Sequence, residues 1–235
     1  MHKIIHGDCR EVLTTLDIPK IDCVVTDPPY GVAFKSTYGK DPESREKFQQ
    51  EIEDDMDVET ALASFDVSMK AMLPHLADTC ELYVFTQWQV APEWQKYLAS
   101  LAEFDIHLRQ CIIWEKGYPG IGDVTYNWGC GHEFIYYLKK GKRKVPYRRS
   151  AILHVDKVRP GTNVHPTQKP TELLKILIEY STDPGQMVFD PYAGSGSTVV
   201  AAREVGRSGV GIEKNASYHA AAEHRLSEGS LLDGW

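Results

Sequence analysis

Short apolar runs rich in β-branched residues alternate along the chain with segments whose apolar positions recur every three or four residues. The run Ile21-Asp22-Cys23-Val24-Val25-Thr26 predicts a strand. So do Glu81 to Phe85, Arg109 to Trp114, Glu133 to Leu138, Met187 to Phe189 and Gly209 to Ile212. Helical spacing covers Arg10 to Leu16, Val58 to Leu76, Pro92 to Leu101, Glu172 to Tyr180, Ser197 to Val205 and Ala216 to Leu226. Strands alternating with helices predict an α/β fold, a mostly parallel sheet with helices on both faces. Neither an internal repeat nor a low-complexity linker divides the chain, so a single domain over residues 1–235 is expected. Two stretches fit neither period: the polar, turn-rich Gly31 to Asp57 and the basic Gly141 to Gly161. Each follows a strand, and open α/β sheets gather their ligands at the carboxyl ends of strands.

Composition narrows the class. Apolar residues form 42% of the chain, enough for a substantial core, yet no apolar run is long enough to span a bilayer. The amino terminus reaches Asp8 without a hydrophobic leader, so a cytoplasmic protein is expected. Cys9, Cys23, Cys80, Cys111 and Cys130 form no C-x-x-C pair, so reduced thiols are expected rather than disulfides or a metal centre. The net charge of −7 argues against a nucleic-acid binder, but its distribution argues the other way. Between Lys139 and Arg159 nine basic residues face only Asp156, giving that segment +8 and leaving −15 for the rest. Such a segment suits phosphate contact on an otherwise acidic body. Lys142, Arg143, Lys144, Arg148, Arg149 and Arg159 are the candidate nucleic-acid-binding side chains.

Asp27-Pro28-Pro29-Tyr30 follows the first of these strands. Two prolines cannot continue a central strand, so the chain leaves the sheet stiffly. An exocyclic amine of a base is a poor nucleophile because its lone pair is delocalised into the ring. A carboxylate and a backbone carbonyl accepting its two N–H bonds would localise that pair. Asp27 offers the carboxylate, Pro28 and Pro29 offer carbonyls on a rigid frame, and Tyr30 offers a ring to stack on a base drawn out of a duplex.

A second constellation runs through Asp190, Pro191, Tyr192, Ala193, Gly194, Ser195 and Gly196 into a helix of small residues. Glycines here allow close approach to a ligand at a helix N-terminus. No Gly-Lys-Ser/Thr follows, so this is not a P-loop. Glu213 ends the next strand, 23 residues after Asp190, where an acid commonly accepts from ribose hydroxyls. Its alternative role is to cap the helix from Ala216. Together these two elements describe a nucleoside pocket without a pyrophosphate cradle. Farther upstream, Asn163-Val164-His165-Pro166-Thr167-Gln168-Lys169-Pro170 precedes a helix. There Thr167 can cap, and Lys169 adds positive potential that would suit a free carboxylate.

Taken together, these elements resemble the amino-methyltransferase family of DNA modification enzymes, and the likeness spans nearly the whole chain. The target-base tetrapeptide precedes the glycine loop, as in the permuted beta group. The resemblance implies a Rossmann-like methyltransferase fold with a seven-stranded sheet, S-adenosylmethionine as cofactor, and double-stranded DNA as substrate. It also implies roles for individual residues. Asp27, Pro28, Pro29 and Tyr30 hold and stack the flipped base. Asp190 to Gly196 surround the methionine part, Glu213 with Lys214 takes the ribose, and Asp8 with Cys9 meets the adenine. His165, Thr167 and Lys169 contact the methionine carboxylate. Trp114-Glu115-Lys116 and His132-Glu133-Phe134 match recurrent strand features of the family.

Asp-Pro-Pro-Tyr is commoner in adenine-N6 enzymes and Ser-Pro-Pro-Tyr or Ser-Pro-Pro-Trp in cytosine-N4 enzymes, so adenine is expected and cytosine is the alternative. Methylation of RNA or of a protein glutamine is disfavoured by motif order and by Asp27, and a catalytically idle DNA-binding module by the intact Asp27, Tyr30 and Glu213. Relatives often carry a substantial recognition region before the His-Pro-Thr-Gln-Lys-Pro stretch, whereas here only the basic residues 139–161 stand there. The loop from Phe34 to Asp57 or a second subunit would then share the reading, and a homodimer is the expected assembly. A sulfonium methyl is already activated, so no metal is expected. A bacterial or phage origin fits the family.

Overall fold

The computed structural model describes residues 1–32, 57–117, 126, 128–157 and 168–230. Eight strands form one sheet: β1 (His2–His6), β2 (Ile21–Thr26), β3 (Leu76–Thr86), β4 (Ile106–Glu115), β5 (His132–Lys140), β6 (Ile152–His154), β7 (Met187–Asp190) and β8 (Ser208–Glu213). Their spatial order is β1-β8-β7-β2-β3-β5-β4-β6. The first five in that order run parallel. β5 lies antiparallel between β3 and β4, and β6 adds a parallel edge beside β4. The helices are α1 (Cys9–Val12), α2 (Val58–Met72), α3 (Ala91–Ser100), α4 (Thr171–Ser181), α5 (Ser197–Glu204) and α6 (Ala216–Ser230).

Successive strand residues point to opposite faces, and both faces are apolar. Val24, Leu82, Val84 and Phe189 pack with Phe65, Met69 and Met72 of α2 and Trp94 and Leu98 of α3. Val25, Tyr83, Phe85 and Val188 pack on the other face with Leu173, Leu174, Leu177 and Ile178 of α4 and Ala201 and Ala202 of α5. This two-sided burial explains why the central strands read as unbroken apolar runs. α6 closes one end through Ala222 against Ile4, Ala193 and Val199.

The sheet differs from the expected one at its edges. β1 is an edge strand in which only Ile4 is buried, so its sequence carries little strand signal. β6 lies inside the basic segment and contributes three residues, of which only Leu153 is buried. The expected helix from Val58 ends at Met72, because Pro74 follows in a 3-10 turn and β3 already begins at Leu76. The one from Arg10 is a single turn, Cys9–Val12.

Topology positions the site. From β7 the chain crosses through α5 to β8 on one side, and from β2 it crosses through α2 to β3 on the other. The carboxyl ends of β2 and β7 therefore flank a topological switch point, the place where open α/β sheets form a crevice. Asp27 leaves β2 and Asp190 ends β7 at that crevice.

Candidate active site

The Asp27 carboxylate is held from two directions. Tyr30 Oη donates to Oδ1, and Lys169 Nζ donates to Oδ2 at 2.5 Å. Lys169 Nζ also lies 3.1 Å from Glu133 Oε2, and Lys116 Nζ pairs with Glu133 Oε1 at 2.7 Å. Two acids and two lysines thus alternate in a line, with the Lys169 side chain only 9% exposed. Burial raises the Asp27 carboxyl above the ordinary aspartate value, with Lys169 pulling the other way. Burial also opposes charge on Glu133, but Lys169 and Lys116 together hold it below the ordinary glutamate value. For Lys169 burial is likewise outweighed, and Asp27 and Glu133 keep its ammonium above the usual lysine value.

The tetrapeptide backbone is fixed by its surroundings. Trp94 Nε1 donates to the Tyr30 carbonyl at 3.0 Å. Gly31 has φ +79°, and a Cβ there would stand 2.3 Å from Val58 Cα, so only glycine allows this approach to α2. Among the described residues the carbonyls of Pro28 and Pro29 accept no hydrogen bond, which leaves them available beside Asp27.

On the other side of the crevice, Asp190 is buried and accepts from Thr198 Oγ1 at 2.7 Å and Tyr192 N at 3.0 Å. Burial pushes its carboxyl up to about 7, against the hydrogen bonds that lower it. Ala193 N donates to the Ile212 carbonyl at 2.9 Å, tying the glycine loop to β8. Gly194 has φ +50° with open space where a side chain would stand, whereas Ser195 is buried. Glu213 accepts from Gly194 N at 2.8 Å through Oε2 and from Asn215 N at 2.7 Å through Oε1, and burial raises its carboxyl. It therefore braces the glycine loop and caps the turn into α6, with lone pairs to spare for hydroxyls. Asp8 caps α1 and pairs with Arg10, on the same rim as Glu213 because His6 is registered with Glu213. Lys214 is exposed beside it. The Cys9 thiol faces inward to Ser68 at 3.3 Å, and Tyr192 Oη meets the same serine at 2.9 Å.

Not every expected residue gathers here. His165, Thr167 and Arg159 lie outside the described residues, as does the loop from Phe34 up to Asp57. Lys169 is engaged by Asp27 and Glu133 rather than by the glycine loop. Arg143 turns into the protein, donating to the Tyr180 carbonyl at 2.9 Å and lying 3.8 Å from the buried Glu81. Lys142 and Lys144 are exposed but follow the far end of β5. Phe134 pairs with Thr86 near Asp27 and Lys140 with Cys80, so six residues, roughly 20 Å of strand, separate the two ends. Arg148 and Arg149 are exposed along the outer edge before β6. Nearer the crevice stands Lys157, half-buried, its backbone N donating to the Lys116 carbonyl at 3.4 Å. The roles of Glu133, Lys116, Trp94 and Lys157 were not legible in the chain. For Glu133 and Lys116 the signal that existed was their place in His132-Glu133-Phe134 and Trp114-Glu115-Lys116, the strand features that match the family. Among the described residues no three His, Cys, Asp or Glu side chains converge to hold a metal ion, and no helix is long and apolar enough to cross a membrane.

The sequence matches the DNA methylase family of N6 and N4 methyltransferases over residues 21–224. It is 30% identical to YubD of Escherichia coli, a protein named as a methylase, over 244 residues covering 100% of this chain and 97% of that protein. The fold is similar to that of M1.HpyAVI in complex with SAM, with TM-score 0.69 and 22% identity over 96% of this chain and 99% of that one. It is also similar to the cytosine-N4-specific PvuII DNA methyltransferase, with TM-score 0.71 and 17% identity over 98% and 90% of the two chains.

Proposed function

Because the chain belongs to the DNA methylase family of N6 and N4 methyltransferases, we propose that it methylates N6 of adenine at specific sites in duplex DNA. The methyl donor of this family is S-adenosylmethionine. The observation that carries the reading is the pairing across one crevice of Asp27, with two free proline carbonyls, and a glycine loop braced by Glu213.

The residues present suit that donor. Open space above Gly194 leaves room for a ligand against the backbone, and Glu213 retains lone pairs for ribose hydroxyls. Asp190 forms no ion pair among the described residues, and a cation bound nearby would draw its carboxyl toward the charged form. When bound, S-adenosylmethionine supplies a methyl carbon already activated by its sulfonium. Asp27 accepts one N–H of the target amine and the Pro28 carbonyl the other, which returns the lone pair to nitrogen. Tyr30 stacks on the flipped base. The nitrogen would take up the methyl group in line as the carbon's bond to sulfur breaks and S-adenosylhomocysteine leaves, and the proton the nitrogen then sheds would pass toward Asp27. The protein's share is positioning and polarisation of the amine.

Cytosine N4 presents the same amine, and the preference for adenine rests on Asp27 at the first position of the tetrapeptide. Residues 139–161 form the target-recognition segment in this reading. Arg148, Arg149 and Lys157 touch phosphates, and Lys142, Arg143 and Lys144 are withdrawn from the interface by their place at the far end of β5. A homodimer would enlarge this small reading surface, and light scattering at working concentration tests it, with a sequence-specific monomer overturning it. For the reaction, duplex DNA methylated by the chain is digested to nucleosides and separated by mass spectrometry. N6-methyladenine as sole product supports the assignment; N4-methylcytosine as main product replaces adenine by cytosine; no methylated base overturns the reading.

A further inference from the structure

Buried ion pairs are a weak source of stability, since apolar side chains of similar size commonly serve as well or better. Four alternating charges converging at one crevice therefore call for another reason. They come from four separate elements: Asp27 after β2, Lys116 after β4, Glu133 at the start of β5, and Lys169 before α4. Lys169 is shared, at 2.5 Å from Asp27 and 3.1 Å from Glu133. If it served Asp27 alone, Oδ2 would be locked in a full ion pair while Tyr30 occupies Oδ1. A target amine would then find its acceptor already committed. Glu133 offers the same ammonium a second carboxylate at 3.1 Å, and Lys116 occupies the other Glu133 oxygen at 2.7 Å.

We propose that Glu133 is a positioning residue for methyl transfer, setting through Lys169 how firmly Asp27 is held, with Lys116 as its counterweight. This assignment rests on the amine-methylation reading above. Among the described residues, the charged and titratable groups around Asp27 are Tyr30, Lys169, Glu133 and Asp190, and beyond them Lys116 and Lys157. Removing one acid or one base from the line shifts the balance at Asp27 in opposite senses. With Glu133 neutral, Lys169 serves Asp27 alone and a negative neighbour is gone, so Asp27 protonates at lower pH. With Lys116 neutral, Glu133 claims more of Lys169, so Asp27 protonates at higher pH.

The test compares the wild-type chain with Glu133→Gln and Lys116→Met, measuring kcat against pH on duplex DNA at saturating S-adenosylmethionine. Cofactor Kd by calorimetry and thermal melting accompany it. The expected result is that Glu133→Gln lowers kcat at least tenfold with cofactor Kd within twofold and moves the acid limb to lower pH. Lys116→Met moves that limb to higher pH, and Glu133→Asp returns it toward the wild-type position. Limbs that stay put or move together overturn the assignment, as does a parallel loss of kcat and cofactor affinity in Glu133→Gln. Should Glu133→Gln fail to fold, Lys116→Met decides alone: an upward limb supports the assignment and an unmoved one overturns it. A wild-type chain that transfers no methyl overturns the amine-methylation reading and this assignment with it. An active wild type beside unresponsive variants overturns this assignment only.

Discussion

Asp27 and Asp190 stand at the ends of neighbouring strands and are both desolvated, yet among the described residues only Asp27 has a lysine against it. Burial lifts the Asp190 carboxyl to about 7, above the unfolded aspartate value of about 3.9. Its protonated form is therefore favoured by folding. That stability is fully present below the unfolded value and is lost as pH rises toward 7. Asp190→Asn keeps an acceptor for Tyr192 N and removes the charge. Relative to wild type its melting temperature should rise more at pH 8 than at pH 5 in the ligand-free chain, and an equal difference at both would contradict the desolvation argument. Asp27→Ala should abolish turnover while cofactor affinity stays within roughly an order of magnitude, because Asp27 is assigned to the amine. Equal loss of both, seen by calorimetry beside kinetics, would move Asp27 to the cofactor pocket. Glu213→Ala should weaken cofactor binding by about 1–3 kcal/mol, the cost of losing a charged acceptor for hydroxyls. At this scale the chain was legible where chemistry demands a residue type in a fixed local sequence, as at Asp27 to Tyr30 and Asp190 to Gly196. The partnership of Lys169 with Asp27 was not legible, because 142 positions separate the two.

The elements carry these side chains to one crevice, and two glycines show how closely they are fitted. A Cβ on Gly31 would meet the backbone of α2 at 2.3 Å, and its φ of +79° already disfavours a side chain. Gly31→Ala should cost about 1 kcal/mol or more from backbone conformation alone. It should also displace the tetrapeptide from α2, lowering both the melting temperature and kcat while cofactor affinity changes little. Unchanged melting would mean that α2 yields freely at Val58. On β8, a Cβ at Gly211 would stand 2.7 Å from Ala193 Cβ, so here it is the glycine loop that glycine keeps close to the strand. The central strands were readable because burial on both faces selects unbroken apolar sequence. β1 and β6 were not, because an edge strand with one buried residue is held by its neighbour's backbone, which leaves little mark on side-chain choice.

Across the whole molecule, the net charge of −7 means that DNA must meet a local positive surface. With the crevice at the carboxyl ends of β2 and β7, the surface proposed for it is the side of the sheet carrying Lys157, continued along the outer edge by Arg148 and Arg149. Neutralising Lys157 should weaken DNA binding and lower the salt-dependence slope by about one, as should each of Arg148 and Arg149 that touches a phosphate. Neutralising Lys142 and Lys144 together should leave both unchanged. Affinity measured across a salt series distinguishes these cases, and a slope that falls only for Lys142 and Lys144 would put DNA at the opposite end of the sheet. From the sequence alone came the α/β class, the two motif-bearing loops and their order, since strand burial, turn chemistry and glycine requirements act over a few residues. Only the tertiary structure decided which charges pair, that Arg143 lies against a buried glutamate, and that Lys169 stands between Asp27 and Glu133. Charges act through space on whatever the fold brings near, and that proximity is written in topology rather than in any local run of residues.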